Sequence, residues 1–259
     1  MKSLLLDCGN TRIKWAVFGN GRLSRARAVD WNARTLPRVL RQLVAGAGRI
    51  ERILCCSVAG TELRRALGSA ARHAGLPAPR WVRSQRELAG LRNGYREPWR
   101  LGVDRWVAAL GAIHLRSHRP LLIVDVGTAL TVDLIDAHGL HLGGAIVPGP
   151  ELMQQALLTH TVGIRRRAQG GGARGKAVSA KGLFAHDTRG GLSAGALYAC
   201  AALIERAQRE AHARVGGRCD LLLAGGAAPR VAKLLRGRVH QEPDLVMMGL
   251  AVMAFESLI

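Results

Sequence analysis

Apolar and polar positions fall into short blocks along this chain, and one block pattern occurs twice. Leu4-Leu5-Leu6 runs straight into Asp7-Cys8-Gly9-Asn10-Thr11, and a second β-like run follows from Ile13 to Phe18. Leu122-Ile123-Val124 runs in the same way into Asp125-Val126-Gly127-Thr128, with a return run from Leu130 to Ile135. An apolar run, a tight Asp/Gly/Thr turn and a returning run predict a β-hairpin. Its turn exposes backbone N–H groups and a hydroxyl that can cradle a phosphate, and its Asp can hold a cation beside it. Two such turns facing each other would make a nucleotide-binding cleft.

The spacing of the remaining apolar positions predicts helices over Leu36 to Leu43 and Thr61 to Ala74, the second opened by Thr61 as its cap. Arg52 to Val58 reads as a buried strand and Arg80 to Val82 as another. Asn93 to Pro98 is turn-rich, and Gly102 to Leu115 is helical. Pro120 then interrupts the pattern, which places a domain boundary near Ser117 to Arg119 and two lobes over residues 1–117 and 118–259. The second lobe shows strands at Leu121 to Asp125 and Thr131 to Ile135, a Gly143 to Ile146 stretch and a helix from Pro150 to Leu158. Residues 165–182, rich in Gly, Arg and Lys, read as a mobile loop. A long helix from Gly191 to Arg209, a strand at Leu221 to Ala224 and helices from Pro229 and Leu245 complete the pattern. Strands alternating with helices around a duplicated hairpin argue for two α/β lobes with mixed sheets.

Composition narrows the picture. Hydrophobic residues make up 48 % of 259, enough for substantial cores. The apolar run before Asp7 is too short for a signal peptide, and no run reaches the length of a membrane span. Five cysteines without a C-x-x-C pair suit reduced core thiols in a cytoplasmic protein. The formal charge is +20, but the basic residues, mostly arginine, are scattered rather than gathered into an arm, and aromatics are 4 %. That combination argues against nucleic acid as a partner and for a surface that attracts small anions.

The candidate chemistry starts at the turns. Gly9 lets the backbone approach closely, Thr11 offers a hydroxyl and Lys14 returns on the second strand as a point charge. Taken singly, this turn also suits an ordinary hairpin; its second copy at Asp125 shifts the balance. Gly170-x-x-x-x-Gly175-Lys176 imitates a P-loop, but Ala177 stands where a magnesium-binding hydroxyl is required and no core strand precedes it. Asp104, beside Arg105 at a helix start, reads either as a residue favoured by the helix dipole or as a general base toward a substrate hydroxyl. Gly225-Gly226, between a strand and a helix, suits a flat ring against backbone or an ordinary turn.

Together these residues resemble one family. Asp7-x-Gly9-Asn10-Thr11-x-x-Lys14, Asn93-Gly94-Tyr95-x-x-Pro98-x-x-Leu101-Gly102-Val103-Asp104-Arg105, Asp125-x-Gly127-Thr128-Ala129-x-Thr131-x-Asp133 and Gly143-Gly144-x-Ile146-x-Pro148-Gly149 are similar to the signature blocks of type III pantothenate kinases, in the family order. The resemblance implies two actin-like (ribonuclease H-like) lobes with an ATP cleft between them, in the acetate and sugar kinase, heat-shock ATPase and actin superfamily. It implies phosphorylation of pantothenate by ATP, the first step of coenzyme A biosynthesis. By motif position, Asp7, Cys8, Gly9, Asn10, Thr11, Arg12, Ile13, Lys14 and Thr128 would bind ATP, with Mg2+ accompanying it. Asp125 would ligate a monovalent cation, K+ or NH4+. Asp104 would accept the proton, and Tyr95, Gly102, Val103, Asp104, Arg105 and Thr188 would line the pantothenate pocket of a homodimer. The chain departs from the family at Asp187, where Asn is usual, and at Thr161-Val162-Gly163-Ile164-Arg165, which replaces a Thr-Ala-x-Leu-Pro stretch. A phosphatase of the same superfamily would share the Asp-Gly-Thr turns without needing the Tyr95 to Arg105 block. A regulatory or nucleic-acid-binding relative would keep the fold without needing Asp7, Asp104 and Asp125 intact.

Overall fold

The computed structural model describes every residue except 10–11, 32–34, 46–47, 59, 170–181 and 257–259. The chain opens with strands β1 (Lys2–Cys8), β2 (Arg12–Gly19), β3 (Arg22–Leu23) and β4 (Arg27–Asp30). Helix α1 (Leu36–Val44), strand β5 (Arg52–Ser57), helix α2 (Thr61–His73) and strand β6 (Pro79–Trp81) follow. A ribbon of β7 (Glu87–Leu88) and β8 (Leu91–Arg92) and a 3-10 turn at Pro98–Arg100 lead into helix α3 (Val103–Leu115). Strands β9 (Leu121–Val126), β10 (Ala129–Ile135) and β11 (His141–Pro148) come next, then helices α4 (Pro150–His160), α5 (Val162–Gln169) and α6 (Thr188–Val215). Strand β12 (Asp220–Ala224), helix α7 (Ala228–Ala232), strand β13 (His240–Gln241) and helix α8 (Leu245–Phe255) complete the described chain.

Two compact units result: Met1–Arg119 with Ala137–Leu142 and Asp244–Ile259, and Pro120–Asp136 with Gly143–Pro243. The sequence reading placed residues 118–259 in one lobe; Ala137–Leu142 and the last helix group instead with the first unit. Apolar periodicity shows that α8 is buried but not by what, which is why the sequence misplaces it.

In the first unit the sheet order is β3-β2-β1-β5-β6, with β4 also pairing with β2. β1 is antiparallel to β2 and parallel to β5, so both hairpin and crossover pairing meet on one central strand. Side chains alternate across the pleat. Leu4, Leu6, Cys8, Ile53 and Cys55 join Leu36, Leu40, Leu63 and Leu67 of α1 and α2 in one core cluster. Leu5, Leu54 and Cys56, also buried, belong to the opposite face, against which α3 and α8 pack. Those two helices approach closely through glycines: a Cβ on Gly249 would stand 1.9 Å from the Val107 carbonyl oxygen. Arg52, buried at the start of β5, donates from its guanidinium to the Ala254 carbonyl (2.6 Å) and to Ser3 Oγ (3.2 Å). A cation thus meets the C-terminal carbonyls of α8, where the helix dipole favours it. Burial, then the neighbouring charge of Arg80, lowers its pKa.

The second unit repeats the plan, with sheet order β11-β10-β9-β12-β13. β9 is antiparallel to β10 and parallel to β12. Its long helix α6 begins and ends beyond the predicted Gly191 to Arg209. Asp187 caps its start by accepting from the Gly190 N–H (2.8 Å), and Gly216 at φ +67° closes its end in the left-handed conformation. Two further corrections concern local chemistry. Helix α2 is capped by Gly60 without a side-chain bond, so Thr61 is its first residue rather than its cap. Residues 165–169 of the expected loop are helical, in α5. The rest of that loop, with the P-loop imitation at Gly170 to Ala177, lies almost wholly outside the described residues.

Candidate active site

Asp7 lies near the end of β1, directly across from Lys14 on β2 and beside Cys56 on β5. The hairpin pattern therefore delivers a carboxylate and an ammonium to neighbouring positions at the mouth of the turn. The Gly9 N–H donates to the Arg12 carbonyl (2.9 Å) and closes that turn. Trp31 Nε1 donates to the Gly9 carbonyl (3.1 Å), and Ser57 Oγ to the Cys8 carbonyl (2.9 Å), which fixes the turn from both sides. Cys8 and Ile13 belong to the buried core, which leaves only their backbone for any ligand at the turn. Arg12 is exposed and lies 4.0 Å from Asp30, a pairing of little energetic weight. Asn10 and Thr11 lie outside the described residues.

Lys14 Nζ stands 2.6 Å from Asp244 Oδ1, with both side chains about one-third exposed. Asp244 is the residue that precedes α8. Sequence reasoning missed this carboxylate, because an Asp before an apolar helix reads as a helix-start residue and nothing local links it to Lys14.

The block from Asn93 to Arg105 folds around Asn93. Its side-chain amide donates to the carbonyls of Gln85 and Pro98 (3.1 Å each), and its oxygen accepts from the Tyr95 N–H (3.0 Å). Ser84 Oγ donates to the Leu101 carbonyl (2.7 Å), holding the residue before the Gly102 cap of α3. Arg105, 6 % exposed, donates to the Tyr95 hydroxyl at 3.1 Å, and its guanidinium carbon lies 5.9 Å from the Tyr95 ring centre. The other side of Tyr95 meets the ring of His141, centroids 5.6 Å apart. Asp104 sits in the first turn of α3, and its Oδ1 accepts from the Arg105 N–H (2.9 Å). Gly102 lets the Asp104 carboxylate lie close: a Cβ there would stand 2.7 Å from Asp104 Oδ1 and push that side chain aside. Asn93 was legible only as a turn residue, and His141 not at all.

The two halves of this arrangement meet at Cys56. Burial, then the carboxylates of Asp7 and Asp104, push its thiol well above the ordinary value.

In the second unit Asp125 lies near the end of β9, opposite Thr131 and beside Ala224 of β12. The Gly127 N–H donates to the Ala129 carbonyl (3.0 Å), and the Gly149 N–H to the Thr128 carbonyl (2.8 Å). The Gly225-Gly226 turn lies against Asp125. Gly225 has φ +95°, and a Cβ on it would stand 2.5 Å from Asp125 Oδ1, so only glycine fits. Among the described residues, no group of three or more His, Cys, Asp or Glu could hold a metal. Thr188, the first residue of α6, lines an apolar recess of about 380 Å³ with Met153, Leu157 and Ile164. Asp187, where the family usually has Asn, serves there as the helix cap, a task either residue performs.

Comparison with known proteins places these observations. The type III pantothenate kinase family profile matches residues 3–210. A type III pantothenate kinase of Azoarcus sp. (strain BH72) is 40 % identical over 254 residues, covering 97 % of this chain and 90 % of its own. One from Nitrosococcus oceani is 34 % identical over 258 residues, covering 97 % and 93 %. Among solved structures, component A of (R)-2-hydroxyglutaryl-CoA dehydratase from Acidaminococcus fermentans superimposes with a TM-score of 0.56 at 13 % identity, covering 99 % and 98 % of the two chains. MreB5 of Spiroplasma citri, bound to ADP, gives 0.55 at 12 % identity over 99 % and 97 %. These likenesses show the actin-like fold with mixed sheets that the resemblance implied, and the full-length sequence matches show that this chain belongs to the type III pantothenate kinase family.

Proposed function

We propose that the chain transfers the terminal phosphoryl group of ATP to the primary hydroxyl of pantothenate, the opening step of coenzyme A synthesis, through the residues described above. The observations that carry this reading at residue level are Asp7 paired across the turn with Lys14, and Asp104 at the start of α3 beside an Arg105 held by Tyr95. They support a phosphate-binding turn and a proton acceptor next to an anion-binding side chain. Phosphoryl transfer rests on positioning and charge neutralisation rather than on a strong base. Asp104, held by the Arg105 N–H through one oxygen, accepts the hydroxyl proton as the new P–O bond forms. Arg105, with its guanidinium fixed by Tyr95, receives the substrate carboxylate; the planar fork suits that group better than a lysine would. Lys14 and the backbone N–H groups of the Asp7 to Lys14 turn, Asn10 and Thr11 included, neutralise the ATP phosphates, and Thr128 does so on the second turn.

Asp125, its carboxylate lying against the Gly225 turn, would hold a monovalent cation, potassium or ammonium, which supplies fixed positive charge beside the phosphates. A divalent cation accompanies ATP in the family's chemistry. Thr188 completes the pantothenate pocket in a homodimer, for which the apolar recess along α6 provides a contact surface. No described helix is long and apolar enough to cross a membrane, and a cytoplasmic location follows from the substrate and the reduced thiols.

The test is ADP release by purified protein with magnesium-ATP and pantothenate, with and without potassium. Pantothenate-dependent turnover that requires potassium is expected. A folded sample without pantothenate-dependent turnover under both conditions would overturn the assignment.

A further inference from the structure

The second unit carries another recess, of about 390 Å³, whose lining is of a different kind. Arg209 and His212 reach it from α6, Arg218 from the segment before β12, and Arg236 and Arg238 from the segment after α7. Glu205 is the one carboxylate in the lining. None of these residues belongs to the candidate active site.

Some exposed arginines of this molecule find acids: Arg206 pairs with Glu210 along α6, Arg230 with Glu151, and Arg100 with Glu97. Among the described residues, Arg209, Arg218, Arg236 and Arg238 form no ion pair, although the spacing of Glu205 and Arg209 would allow one along the helix. His212 is engaged locally, its Nε2 3.4 Å from the Cys219 carbonyl. Four guanidinium groups from three chain segments thus converge on one concavity against their mutual repulsion, with one carboxylate to offset them. The general excess of arginine explains many exposed cations, but not their concentration in a recess.

We propose that this recess binds a small anion carrying two or more phosphate groups. Guanidinium forks match phosphate oxygens two at a time, and a cluster of them gains more from a doubly or triply charged ligand than from a single carboxylate. The volume lies within the range of small-molecule sites. A single-stranded nucleic acid would call for an extended basic groove with aromatic platforms, whereas these arginines line one recess that has no aromatic ring in its lining.

The test is titration calorimetry of the intact protein with inorganic tripolyphosphate at physiological ionic strength. Binding is compared among wild type, Arg236→Gln/Arg238→Gln, and the control Arg22→Gln/Arg25→Gln, which removes equal charge from exposed positions elsewhere. Because ATP-site turns also attract polyphosphate, each titration is run with and without a saturating non-hydrolysable ATP analogue. A binding event that persists with the analogue, weakens about tenfold or more in the recess variant and survives in the control is expected. Arg209→Gln/Arg218→Gln, altering different segments of the same recess, should reproduce the loss. Equal weakening in recess and control variants would reduce the effect to net charge and overturn the proposal. So would loss of all binding when the analogue is present.

Discussion

Gly249→Ala and Gly68→Ala make the same chemical change in two helices of the first unit, and the structure gives them opposite signs. Gly68 lies within α2 with nothing inside 4 Å of the added methyl, so alanine there contributes only its better helix propensity, about 0.5–1 kcal/mol. Gly249 lies where α8 crosses α3, and its methyl would stand 1.9 Å from the Val107 carbonyl oxygen. Ordinary contact requires more than 3.0 Å, so the helices must part by about an ångström. The interface so opened includes Val107 and Gly111 of α3 and Leu245, Met248 and Gly249 of α8. A gap of that size forfeits roughly a quarter to a half of each dispersion contact. Overpacking of this kind costs roughly 3 kcal/mol at the upper end, and offsetting it with about 1 kcal/mol of propensity leaves a net loss of about 2 kcal/mol. At roughly 2–4 °C per kcal/mol for a chain of this size, the melting midpoint should fall by about 4–8 °C in Gly249→Ala and rise by about 2 °C in Gly68→Ala. Thermal unfolding followed by circular dichroism reads both. A Gly249→Ala midpoint at or above wild type would refute the account of how α3 and α8 meet.

The remaining predictions concern chemistry. Asp104→Asn should lower turnover by roughly 10²–10⁴ with little change in ATP affinity, and steady-state kinetics with unchanged kcat would remove Asp104 as proton acceptor. Asp125→Ala should abolish stimulation by potassium, read as kcat with and without the ion; full stimulation would place the cation elsewhere. Asp244→Asn keeps the shape beside Lys14 but not the charge, so KM for ATP should shift by about fivefold, the scale of a partly exposed ion pair of about 1 kcal/mol. An unchanged KM would show that Lys14 reaches its working position without that partner. Burial, then Asp220, pushes the Cys219 thiol from 9.0 up to about 12. Between those values the unfolded chain releases this proton while the folded one retains it, so stability falls as pH rises. Cys219→Ala should flatten that alkaline decline in urea midpoints measured against pH, and an identical slope would reject it.

Much of the fold was legible because the hairpins are local. An apolar run and a turn rich in Asp, Gly and Thr specify their own pairing, and the registers of Asp7 with Lys14 and Asp125 with Thr131 follow. The sequence reads burial but not partners, which is why α8 was assigned to the wrong unit and Asp244 passed for a helix-start residue. Asn93 escaped for a related reason. Its three hydrogen bonds reach Gln85, Tyr95 and Pro98, and a turn-forming side chain shows no periodicity to mark such a hub. The extent of α6 was hidden by its glycines, which lower helix propensity near its start, where the Asp187 cap compensates.

The discontinuous make-up of the first unit has a consequence for its biosynthesis. Translation proceeds from the N-terminus, and a contiguous domain can fold while the ribosome is still working. Here the sheet face carrying Leu5, Leu54 and Cys56 is covered by α3 alone, and Arg52 lacks its Ala254 acceptor, until α8 has been made. The second unit needs only residues up to Pro243. The first unit to be synthesised is therefore the last to be completed, and a nascent chain halted before Leu245 presents an apolar surface for a chaperone to hold.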